Sequence, residues 1–210
     1  MSAIYRKLFI DAETRFPKMP LQNICSKIGS GATPKGGKAA YTSEGISLIR
    51  STNVFDFNFE YDKLAHINKI QADALANVIV EPNDILFNIT GVSVARCCMV
   101  PIDVLPARVN QHVMIVRPTM GEIMSYYIMF TLCSAGNKAR ILGICQSGST
   151  REAINKQELE SFKIPIPDET KLKHFASLAK TFYGNIHANV KEIRALNEIK
   201  KLLLAQLSSY

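Results

Sequence analysis

The chain has 210 residues, 47% of them hydrophobic and 20% charged, with a formal charge of +7. That balance excludes a disordered polyelectrolyte and predicts one ordinary domain, or one domain with an appended element. The basic excess favours a polyanionic partner without specifying it.

Five cysteines, with no C-x-x-C pair among them, predict a reduced cytoplasmic setting rather than a disulfide framework. The opening MSAIYRKLFIDAETRF lacks the apolar core and cleavage site of a signal peptide. No apolar run approaches the ~20 residues of a membrane span, so no membrane association is expected.

In chain order, 21–25 and 46–50 read as short strands, separated by a Gly- and Pro-punctuated loop over 29–38. Residues 70–78 read as a short helix. After the turn at 81–83, residues 84–89 read as a buried strand, followed by strands over 93–100 and 111–116. Helices are expected over 122–133 and 151–162. Residues 163–167, Lys-Ile-Pro-Ile-Pro, form an extended exit, because each proline pushes its predecessor out of the helical region. The fold class is therefore α+β: a mixed domain over 1–167, then a long helix over 168–210 with Asp168 as its N-cap.

That helix carries a seam. Steps of three and four residues from Leu172 give Phe175, Ala179, Phe182, Ile186, Asn189, Ile193, Leu196, Lys200, Leu203 and Leu207; nine of these eleven positions are apolar. This is the pattern of a coiled coil, on a helix on the order of 60 Å long. Such a stripe requires a partner helix, and a buried Asn189 would fix its register. The predicted contact residues are Leu172, Phe175, Phe182, Ile186, Asn189, Ile193, Leu196, Leu203 and Leu207.

No catalytic constellation emerges. The run Gly31 to Lys38 only faintly resembles a phosphate-binding loop: Ala32 replaces its first glycine, and Ala39 replaces the magnesium-ligating hydroxyl. The four histidines lack metal-ligand spacing. No glycine-rich turn opens a βαβ unit, so neither a dinucleotide nor an S-adenosylmethionine site is expected.

Four segments resemble the target recognition domain of type I restriction-modification specificity subunits. They are Gly29-Ser-Gly-Ala-Thr-Pro34 with Tyr41 and Gly45-Ile-Ser-Leu-Ile-Arg-Ser-Thr-Asn-Val54; Asn83-Asp-Ile-Leu-Phe-Asn-Ile-Thr-Gly91 with Arg96; Val109-Asn-Gln-His-Val113; and Ser147-Gly-Ser-Thr-Arg-Glu-Ala-Ile-Asn155, leading through Leu159 into the proline exit and the helix. The start of the helix departs from the family pattern by lacking a Gln and carrying two lysines. Such subunits usually hold two recognition domains, and this chain has room for one; a half-size subunit, a split product and a truncated piece all fit.

The resemblance implies a non-catalytic reader of one half of a bipartite site in double-stranded DNA. The helix would pair with a copy of itself or with a second recognition half, setting the spacing between two readers. A modification (methyltransferase) subunit and, indirectly, a restriction subunit would do the chemistry. This chain would need no cofactor, with S-adenosylmethionine and ATP bound only by partner subunits. A coiled-coil adaptor with non-specific or no DNA binding is the alternative.

Reading DNA needs cations at phosphates and amides, hydroxyls or arginines at base edges. The phosphate candidates are Lys27, Ser30, Lys35 and Lys38. The base or groove-wall candidates are Tyr41, Arg50, Thr52, Asn53 and Arg151, with Asn88 and Arg96 beside the Asp84 turn. Asn110 and Gln111 are expected to hold a turn.

Overall fold

The computed structural model describes residues 1–10, 16–34, 36–148 and 153–207, with the side chains of Lys38 and Ser147 outside that description. The elements are α1 (Ser2–Tyr5), β1 (Lys18–Pro20), β2 (Cys25–Ser30), β3 (Ile46–Ile49), β4 (Val54–Phe55), β5 (Asn58–Phe59), β6 (Ala65–Ile67), α2 (Lys69–Asp73), β7 (Ile79–Val80), β8 (Ile85–Asn88), β9 (Cys97–Met99), β10 (Ala107–Val109), β11 (Val113–Pro118), α3 (Glu122–Cys133), α4 (Ala135–Gly148), α5 (Lys156–Ser161), β12 (Lys163–Pro165) and α6 (Glu169–Leu207). The fold is mixed helix and sheet with a long C-terminal helix, in line with the α+β expectation.

Two four-stranded sheets carry the globular part, in orders β2-β11-β8-β9 and β6-β3-β10-β7. The first is a middle layer. Its strands alternate side chains between two cores, as the two-residue period of a strand requires. Ile85, Phe87, Met114 and Val116 face the helices, while Leu86, Val113 and Ile115 face the second sheet. A strand buried on both faces reads as a continuous apolar run, which is why 84–89 was recognisable in the sequence.

Several boundaries shift for local reasons. Residues 21–23 form a 3-10 turn, and the strand starts at Cys25 and continues through Gly29 and Ser30, which pair with Ile115 and Met114. The expected strand at 21–25 is thus displaced into the glycine loop. The expected strand over 93–100 shrinks to β9, because Gly91–Ser93 form a 3-10 turn and Ala95 takes a φ of 65°. Only part of 70–78 is α-helical: α2 starts behind a reciprocal cap between Asn68 and Gln71 and gives way to a 3-10 turn. α5 starts behind the same device, made by Asn155 and Glu158. α3 matches its expected range, and its middle is apolar on every side because it lies between the sheet and α6. α4 went unassigned in the sequence; Gly136 and Gly143 dilute its helical signal, while Ile141 and Cys145 bury one face.

Asp168 caps α6, accepting from the Lys171 N–H (2.9 Å). The first third of α6 docks on its own globular part. Leu172, Phe175, Ala176 and Ala179 are buried, with the Phe175 ring 5.2 Å from those of Phe9 and Phe130 and 5.8 Å from that of Tyr5. Leu172 and Phe175, expected in an intermolecular seam, therefore belong to the core of this chain: their side chains project onto α1 and α3, where they leave water completely. Further along, Tyr183, Ile186, His187 and Val190 border a groove against Phe57, Phe59 and Tyr126. Beyond residue 190 every described position of α6 is exposed.

Candidate nucleic-acid interface

One rim of the layered part gathers residues from five segments. The C-terminal ends of β2, β3, β8 and β10 and the start of β11 meet there. Main-chain hydrogen bonds join them: Gly31 N–H to the Asn110 carbonyl (3.1 Å), Asn110 N–H to Ile49 (3.0 Å), Ile89 N–H to His112 (3.0 Å) and Ile154 N–H to Ile89 (3.0 Å). Gly31 is obligatory at this crossing, since a Cβ there would lie 1.8 Å from the Val109 carbonyl oxygen.

Polar side chains run along this rim as a chain. The Thr33 hydroxyl donates to Gln111 Oε1. The Gln111 amide then donates to His112 Nε2 (3.2 Å), which leaves Nδ1–H to donate to the Thr90 hydroxyl (2.8 Å). Asn110 is buried and its Oδ1 accepts from the His112 N–H (3.0 Å), so Asn110 holds the turn as expected. Gln111, Thr52 and the 94% exposed Val92 face outward.

Of the DNA-contact candidates, the structure brings Ser30, Thr52, Asn88 and Arg96 to this rim or its immediate border and turns several others to structural work. Asn53 is buried; its Oδ1 accepts from the Arg50 N–H (3.0 Å) and its Nδ2 donates to the Glu60 carbonyl (2.9 Å). Asn88 is buried at the end of β8, opposite Arg96 and away from the Asp84 turn, with Nδ2 donating to the carbonyls of Ser51 (3.0 Å) and Val54 (3.2 Å). Both asparagines satisfy backbone groups that would otherwise be orphaned, so their placement as base contacts is corrected. The Arg50 guanidinium donates to the Lys63 carbonyl and covers the half-buried Tyr41 ring at 5.4 Å; both residues brace a loop. Lys27 lies mid-strand with its ammonium on the Asn77 carbonyl (2.5 Å). Lys35, Arg151 and the side chain of Lys38 lie outside the described residues.

Charge elsewhere in the layered part is tightly organised. Arg117 grips the buried Asp84 with two hydrogen bonds, 2.7 and 2.8 Å, and this contact holds its guanidinium firmly protonated. Desolvation lowers the affinity of buried Arg108 for its proton, while that side chain donates to the Ala72 carbonyl (3.1 Å). Burial pushes the Cys25 thiol up to about 12 and also raises Cys98, so neither is a nucleophile. Among the described residues no group of three or more His, Cys, Asp or Glu could hold a metal ion.

The long helix supplies a second surface. Phe182, Ile193, Leu196, Leu203 and Leu207 are between 43% and 73% exposed, and with the exposed Asn189 they line one face of α6. At 100° per residue this face lies about a quarter-turn from the docked one. Ile186 belongs to the border of the docked face.

Comparison with known proteins gives this arrangement a place. A Methanocaldococcus jannaschii protein named as a type I restriction enzyme MjaX specificity subunit is 24% identical over 189 residues, 89% of this chain and 44% of that one. The chain is similar to type I specificity subunits. The HsdS subunit of Thermoanaerobacter tengcongensis superimposes with a TM-score of 0.58 at 15% identity, over 89% of this chain and 43% of that one. The type I S subunit of Mycoplasma genitalium gives 0.62 at 14% identity, over 96% and 47%. The chain thus spans less than half the length of the specificity subunits it matches, and the 96% coverage takes in both the layered part and the helix. No family model matches the chain. Among the described residues no helix is long and apolar enough to cross a membrane.

Proposed function

We propose that this chain reads one half of a two-part site in duplex DNA for a type I restriction-modification complex and performs no chemistry itself. The layered part approaches DNA with the rim built by Thr33, Thr52, Thr90, Gln111 and His112. The free face of α6 joins a second copy, or a second recognition half, and sets the distance between two readers. A separate modification subunit binds S-adenosylmethionine and methylates adenine, and a restriction subunit that uses ATP attaches through it.

The observation that carries this reading is the pairing of one recognition-sized layered part with one helix whose distal apolar stripe is exposed among the described residues. The chain matches less than half of each specificity subunit over nearly its whole own length. A half that keeps an open helix face has the means to regenerate the whole by pairing.

Footprinting of the chain assembled with its modification subunit tests the proposal. If two copies pair, two equal half-sites in inverted orientation are expected, since two-fold protein symmetry imposes two-fold site symmetry. Binding should weaken steeply between 50 and 200 mM salt, because releasing condensed counterions into more concentrated salt gains less entropy. A single contiguous asymmetric footprint removes the two-copy arrangement. DNA retention that is absent at every salt concentration removes the DNA-reading function.

A further inference from the structure

We propose that Arg96, seated on the ring of Phe55, reads the edge of a guanine and fixes the identity of one base pair in the site. The inference rests on the DNA-reading function proposed above and assigns it a residue and a base.

Arg96 is singled out by what its neighbours are already doing. Arg50 is held by the Lys63 carbonyl and Tyr41, Lys27 by the Asn77 carbonyl, Arg108 by Ala72 and Ala107, and Arg117 by Asp84. Arg96 is half-exposed, and its side chain has no hydrogen-bond or ion-pair partner among the described residues. Its guanidinium carbon lies 4.9 Å from the centroid of the Phe55 ring, which is itself 38% exposed. Stacking on an aromatic face leaves the donors in the guanidinium plane free, and it removes rotamer freedom before any ligand arrives. A planar fork presented this way matches the O6 and N7 acceptors of guanine in the major groove.

The strand geometry places this fork at the rim. Arg96 immediately precedes β9, and its carbonyl accepts from the Asn88 N–H (2.9 Å) at the end of β8. Cys97 packs toward the helices, so Arg96 projects to the other face of the sheet, beside Phe55. The adjoining turn Gly91–Ser93 carries the almost fully exposed Val92.

No carboxylate among the described residues holds the Arg96 fork. Asn88 sits opposite Arg96 in the ladder, but its side chain is buried and turned to the carbonyls of Ser51 and Val54, so it does not hold the fork either. Asp56 follows Phe55 in the chain, but its carboxylate is turned to the helix side, where it accepts from the Cys97 N–H (3.4 Å) and pairs with Lys138, so it does not hold the fork.

The test is selection from a randomised duplex library by the full chain, with melting curves confirming that each variant folds. The wild type is expected to enrich a motif that contains a fixed guanine. Arg96→Ala should enrich the same motif with that position relaxed, its discrimination falling about ten- to a hundredfold. Arg96→Lys should retain part of the preference, and Phe55→Leu should weaken it at the same position, because the platform is lost while the fork remains. An unchanged motif overturns the inference. So does an even loss of affinity across all sequences with a shallower salt dependence, which is the behaviour of a phosphate contact. A wild-type chain that enriches no motif overturns the DNA-reading function itself and this assignment with it.

Discussion

The two ends of α6 are built from the same residue types at the same spacing, yet they stand in opposite environments. Leu172, Phe175 and Ala179 are sealed beneath Tyr5, Phe9 and Phe130, whereas Leu196, Leu203 and Leu207 are 57%, 55% and 73% exposed. Between them the apolar stripe turns by about a quarter of the helix circumference. The docked face continues through Tyr183 and Val190 to Arg194, which lies 3.9 Å over the Tyr61 ring. The free face runs through Phe182 and Asn189. A three-four repeat therefore announces burial without naming the partner. At the root of the helix the partner is the chain itself; at the tip Leu196, Leu203 and Leu207 stay exposed among the described residues. The root is a stability element, and the tip is the surface proposed above for assembly.

That contrast is broken most directly at Phe175. Phe175→Ala empties an enclosed aromatic cluster and should cost about 3–5 kcal/mol of unfolding free energy. Urea denaturation followed by circular dichroism measures it. A loss below about 1 kcal/mol would mean that the root is no more committed to the globular part than the tip is.

The converse change sharpens it. Leu196→Ala combined with Leu203→Ala removes two half-exposed side chains and should leave the chain's own stability within about 0.5 kcal/mol. The same double change should abolish pairing, read as a shift of sedimentation coefficient to the monomer value. If pairing survives, the free stripe is not the joint between readers, and the spacing role proposed for α6 fails.

The same distinction explains what the sequence could and could not convey. Strands such as β8 were legible because burial on both faces leaves an unbroken apolar run, and α3 because its apolar stretch is of helical length. The seam was legible as a pattern, but Leu172 and Leu203 are identical by type, and only the arrival of α1 and α3 separates them. Asn53 and Asn88 looked like base readers because amides are suited to base edges. A signal against that reading was present for Asn88, which closes the run Ile85-Leu86-Phe87 and precedes Ile89, where an exposed side chain would be out of place. For Asn53 no such run exists. The link from Thr33 through Gln111 and His112 to Thr90 joins residues up to 79 positions apart in number, and no local pattern marks it. Arg96 and Arg50 were indistinguishable in sequence; the Lys63 carbonyl decides between them.

The mildest intervention is on the cap of α6. The side chain of Lys171, then its backbone N–H, hydrogen-bond the Asp168 carboxylate and hold it below the usual carboxylate range. A depressed carboxyl contributes stability that is present above its unfolded value and is lost as pH falls through the folded one. Acidification should therefore loosen the first turn of α6 while the sealed aromatic cluster below it stays closed. The Lys171 amide resonance should move on acid titration in the wild type and stay still in Asp168→Asn, which keeps a capping oxygen without the charge. Because Asp168 is exposed, its contribution is screened by solvent and salt, and the melting temperature should barely differ between the two proteins. Should acid instead release the root entirely, with near-ultraviolet signal lost from the Tyr5 and Tyr127 environment, the helix would be held down by its cap rather than by Phe175. Root and tip would then differ in degree only.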